Sequence, residues 1–108
     1  MPYPTLYDPG VEGLRQKPAG TFDGVICNDV LEHVPEHLVR EVIAELFDYA
    51  ERFVWASVCC RPAKKWFDPE TKERNLHVTL QPQKWWNARF LEAAGKKPGV
   101  KWSLVFNP

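Results

Sequence analysis

The residues best equipped for chemistry fall in one stretch, FDGVICNDVLEHVPE (residues 22–36), where an apolar run stops at Asn28 and Asp29 and Glu32 and His33 follow. Asp29, Glu32 and His33, joined by the distant His77, make two carboxylates and two imidazoles. Such a set suits a divalent ion of borderline hardness with positions left open for a substrate's hydroxyls. The ion would lower a hydroxyl's pKa and prepare it as a nucleophile. Plainer readings stand beside this one. Asp29 is also placed to cap the turn after a strand. His77, between Leu76 and Val78, reads equally as a packed or capping histidine.

These groups need elements to hold them. Val25, Ile26 and Cys27 form a short apolar run, the pattern of a strand buried on both faces, as in a parallel sheet. Residues 36–51 read as a helix: Leu38, Val39, Val42, Ile43, Leu46, Phe47 and Ala50 make one stripe, and Pro35 suits the first turn. Residues 52–60 form a second buried strand. Residues 61–75 are a polar, basic loop in which Arg61, Lys64, Lys65 and Trp66 could hold an anion, stack a base or simply be solvated. Residues 76–80 suggest a short strand. A helix runs from Pro82 to Gly95, with Trp85 expected in the core. VKWSLVF (residues 100–106) alternates and reads as an edge strand. PTLY (residues 4–7) is a further strand candidate, closed by the turn Asp8-Pro9-Gly10. Strands alternating with helices predict an α/β fold with a mainly parallel sheet. In such sheets ligands sit beyond the carboxyl ends of the strands, where Asp8, Asn28, Asp29 and the loop after Val58 fall.

With 108 residues the chain suits one domain, residues 1–108. Its formal net charge of zero gives no global footprint for nucleic acid or membrane. No apolar stretch approaches the roughly 18 residues of a membrane span, and the start lacks the pattern of a signal peptide. Cys27, Cys59 and Cys60 read as reduced thiols of a cytoplasmic protein, with a redox role for the adjacent pair as the lesser reading.

YDPG, FDGVICNDVLEHVPE and FVWASV, in this order, resemble the class I S-adenosylmethionine-dependent methyltransferases. CRPAKKW and NLHVTLQPQKWW resemble small bacterial and phage-type members, so the likeness runs from Tyr7 onward. The resemblance implies a Rossmann-like, mainly parallel sheet with helices on its faces and S-adenosylmethionine as cofactor. It implies that Asp8 binds the ribose hydroxyls, since a carboxylate accepts two hydrogen bonds from a diol. It implies that Asn28 and Asp29 end the family's fourth strand beside the methionine portion, and that Val30 and Leu31 flank the cofactor. Glu32 and His33 would then face an acceptor of unread class, with His33 as the base where no metal serves. A similar arrangement of acids and histidines occurs in metal-dependent O-methyltransferases.

The sequence departs from the family in one respect. The family's first strand and its glycine-rich loop should precede Asp8, and the glycines at 10, 13, 20, 24, 95 and 99 form no such motif. The expectation is therefore an incomplete class I methyltransferase fold, its carboxyl-terminal part, with a terminal strand that could run antiparallel. An alternative from another class is a non-catalytic truncated module that binds a partner chain. Without a first strand, FDGVICN would have an unpaired edge, which predicts a homo-oligomer.

Overall fold

A computed structural model describes residues 17–61 and 78–107 of the chain. In them a strand β1 (Phe22–Asn28) is followed by a 3-10 turn (Leu31–His33), a helix α1 (Glu36–Tyr49), a strand β2 (Ala50–Cys59), a helix α2 (Gln83–Gly95) and a strand β3 (Lys101–Asn107). The result is an α/β fold with a three-stranded, all-parallel open sheet in the order β1-β2-β3 and two helices.

Local chemistry sets these boundaries. Pro35 precedes α1 at φ −54°, where its missing N–H is no loss. Val39, Ile43 and Phe47, spaced by four, are the buried stripe of that helix. At Ala50 the backbone turns extended and β2 begins at once, so no loop separates helix from strand. Pro82 likewise precedes α2, whose Trp86 and Phe90 are fully buried. The α2 carboxyl end closes as the amides of Lys96 and Lys97 donate to the carbonyls of Ala93 and Ala94.

Strand register divides the side chains between two unlike faces. Val54, Ala56 and Val58 are buried toward the helices, where Phe47 meets Phe90 edge-on at 6.1 Å and Phe90 stacks on Trp102 at 5.6 Å. Burying each such large side chain contributes about 1.5–3 kcal/mol. The opposite face is built from matched rows: Gly24, Phe53 and Lys101; Ile26, Trp55 and Ser103; Asn28, Ser57 and Val105. Here Ile26 is 72% exposed, Phe53 43% and Val105 38%. The Phe53 ring lies directly over Gly24, in space a Cβ would need.

Five expectations require correction. Right-handed crossovers that add strands in one direction put their helices on one side, so among the described residues α1 and α2 share one face of the sheet. For the same reason β1 is not buried on both faces; of its side chains only Cys27 is buried. Among the described residues the final strand lies at an edge, and it runs parallel to β2. Residues 78–80 form no strand. Within α2 the core tryptophan is Trp86, while Trp85 is half-buried under the Arg89 guanidinium, 5.1 Å from its ring centre. PTLY, Asp8, His77 and most of the basic loop lie outside the described residues. Among the described residues no helix is long and apolar enough to cross a membrane.

Candidate functional site

Because all three strands run parallel, their carboxyl ends lie along one edge, where Asn28, Asp29, Ser57 and Asn107 form one hydrogen-bonded network. β1 ends at Asn28, and Asp29 turns the chain away with φ +55°. That left-handed conformation is uncommon for residues with a side chain, and aspartate is among those that tolerate it best. The turn is held from β2: the Asp29 amide donates to the Ser57 carbonyl at 3.1 Å and to Ser57 Oγ at 3.0 Å. Ser57 is 1% exposed, and its hydroxyl reaches Asn28 Oδ1 at 2.5 Å and Asp29 Oδ1 at 3.0 Å. From β3, Asn107 Nδ2 donates to the same Asp29 Oδ1. Residues 28, 29, 57 and 107 thus meet at one point from three strands.

The 3-10 turn then separates its side chains. Leu31 and Glu32 point inward and His33 is exposed. Glu32 is fully buried: its Oε2 accepts the Cys59 amide at 3.0 Å, and its Oε1 has no hydrogen-bond partner among the described residues. Its backbone carbonyl accepts the Thr79 amide at 3.1 Å, while Thr79 Oγ1 donates to the Val34 carbonyl at 2.5 Å. Gln81 Nε2 adds a bond to Glu36 Oε1 at 2.6 Å. The segment leading into α2 is therefore clipped onto the turn that follows β1.

Electrostatics around this turn keep the nearby thiols protonated. Burial, reinforced by the charges of Glu32 and Asp29, pushes the Cys27 thiol up to about 12. Burial first, then Cys59 and Glu32, also raise the Cys60 thiol. The thiolate is the reactive form, so both cysteines are disfavoured as nucleophiles at neutral pH. All three cysteines are free.

Of the residues singled out in the sequence, Asn28 and Asp29 come together, and Val30 lies beside them, 48% exposed. Glu32 and His33, expected to face an acceptor together, divide between interior and surface. Among the described residues no group of three His, Cys, Asp or Glu side chains could hold a metal ion, so the described part of the set does not fit one. Ser57, Thr79 and Asn107 were not foreseen. Ser57 left a readable signal, because a hydroxyl inside a buried strand needs a partner. Asn107, 78 residues from Asp29, left none.

Family models, curated proteins and solved structures give no match to this chain.

Proposed function

We propose that the carboxyl edge of this sheet is the cofactor-facing part of a Rossmann-like class I S-adenosylmethionine-dependent methyltransferase, or of a fragment of one. The observation that carries the reading is the Asp29 turn, braced from β2 and β3 beside exposed Asn28 and Val30. It adds to the likeness of FDGVICNDVLEHVPE to that family. Parallel α/β sheets bind ligands at this edge. The donor set fits the cofactor: an exposed carboxylate and amide suit its ammonium and hydroxyl groups, and Val30 suits an apolar part.

The bound cofactor supplies an activated methyl group on a sulfonium. The chain's own residues do the rest. Asn28 and Asp29 bind and orient, and exposed His33 takes the acceptor's proton where the acceptor has one to lose. Buried Glu32 fixes the turn that presents His33. Irradiation of the chain with methyl-labelled S-adenosylmethionine, followed by peptide mapping, tests this. Label is expected on the peptides that contain residues 28–33 or 57–60, and excess S-adenosylhomocysteine should suppress it. Label that is absent, or unaffected by that competitor, overturns the reading.

A second reading, a non-catalytic module that binds a partner chain, is favoured by one observation. Ile26 is 72% exposed on β1, and among the described residues β1 pairs with β2 alone. An apolar face beside an unpaired edge is a template for another chain. A second copy that pairs along β1 is the simplest occupant.

A further inference from the structure

Ser57 Oγ stands between two acceptors, Asn28 Oδ1 at 2.5 Å and Asp29 Oδ1 at 3.0 Å. A hydroxyl has a single proton to donate, and its lone pairs serve the Asp29 amide. The two acceptors share one proton, and Asn107 Nδ2 is the second donor to Asp29 Oδ1. Asp29 Oδ2 has no hydrogen bond among the described residues, and the side chain is exposed.

We infer that Asn107 is a positioning residue of the carboxyl-edge site: it fixes the Asp29 carboxylate by one oxygen so that Oδ2 accepts from an ammonium or hydroxyl of the ligand. The inference rests on the methyltransferase reading above and deepens it. An amide is suited to this role. It donates an N–H without neutralising the carboxylate, as lysine would, and without repelling it, as aspartate would. The backbone of Asp29 is already fixed by its N–H, which donates to both the carbonyl and Oγ of Ser57, so rotation of the side chain is the freedom left for Asn107 to remove. Freezing such a rotor before binding changes affinity by about 2- to 12-fold.

The test uses the full isotope-labelled chain and two variants, Asn107→Asp and Asn107→Gln. Asn107→Asp keeps the shape but exchanges the donor for a charge, and Asn107→Gln keeps an amide. Two quantities are read by NMR: the Hα–Hβ couplings of Asp29, and the dissociation constants for adenosine, L-methionine and S-adenosylhomocysteine. Adenosine offers hydroxyls and methionine an ammonium, so the probe that weakens names the group Asp29 accepts. Wild type should show one Asp29 rotamer. Asn107→Asp should show averaged couplings and bind S-adenosylhomocysteine about 2- to 12-fold more weakly, with recovery toward wild type in Asn107→Gln. Unchanged couplings in Asn107→Asp overturn the inference, as do averaged couplings with unchanged affinity. A wild-type chain that binds none of the three probes overturns the methyltransferase reading itself, an outcome distinct from a wild type that binds while Asn107→Asp binds equally well.

Discussion

Cys59 donates its backbone N–H to Glu32 Oε2 across 3.0 Å, fastening the last residue of β2 to the interior of the turn after β1. Because Glu32 is fully buried, this bond replaces any contact with water. Removing the acceptor leaves the Cys59 amide without its partner and opens a cavity. Glu32→Ala is expected to destabilise the chain by about 2–4 kcal/mol in urea unfolding. Glu32→Gln keeps an acceptor for the amide and removes a buried charge, so it should cost less than about 1 kcal/mol. Equal losses in both variants would contradict a role as a hydrogen-bond brace.

Alkaline stability should report Cys27. Below the ordinary thiol value of 9.0 the folded and unfolded chains both keep this proton, and Cys27 adds no pH dependence. Between 9.0 and about 12 the unfolded chain releases it while the folded chain holds it. Stability then falls as pH rises, by at most about 1.4 kcal/mol per unit. Urea unfolding of wild type and Cys27→Ala at a series of pH values isolates the effect, since other groups titrate alike in both. The variant should lose less stability than wild type between pH 9 and 11; parallel curves would refute the assignment.

Ile26, Phe53 and Val105 place three exposed apolar side chains on the sheet face opposite α1 and α2. With β1 paired to β2 alone among the described residues, the chain is expected to self-associate. Sedimentation velocity should find species larger than a monomer at micromolar concentration. Ile26→Lys should restore the monomer and leave the helical circular dichroism unchanged. A wild-type monomer at that concentration removes the basis for edge pairing.

Cofactor affinity should be low for this chain by itself. A glycine-rich turn lets the backbone approach a ligand closely, and no such motif is present in the sequence. Calorimetry is expected to give a dissociation constant for S-adenosylmethionine well above 1 μM, the affinity that corresponds to about −8.2 kcal/mol. A micromolar or tighter value would mean that other residues supply the missing contacts.

The elements were legible because their signals are local. The i, i+4 stripe of Val39, Ile43 and Phe47 and the prolines at 35 and 82 mark the helices to within a few residues. What escaped was decided between elements. Val25, Ile26 and Cys27 read alike as apolar, yet crossover handedness sends Cys27 to the helices and Ile26 to the opposite face. Trp85 and Trp86 are adjacent in sequence, and only the placement of α2 against β3 chooses Trp86 for the core. At the site, Asn28 and Asp29 were readable from the end of an apolar run. The inward turn of Glu32 follows from a 3-10 geometry that its neighbours do not announce. Asn107 reaches Asp29 only because β3 runs parallel and ends beside β2.

The central claim is that a ligand of the S-adenosyl class sits at the carboxyl edge of β1 and β2. An amide chemical-shift map during titration with S-adenosylhomocysteine, for wild type and Asp29→Ala, measures this most directly. The account predicts progressive shifts concentrated at residues 28–33 and 57–60 in wild type, and their loss in a folded Asp29→Ala. Shifts concentrated elsewhere on the fold, no shift at millimolar ligand, or an undiminished response in Asp29→Ala would contradict it.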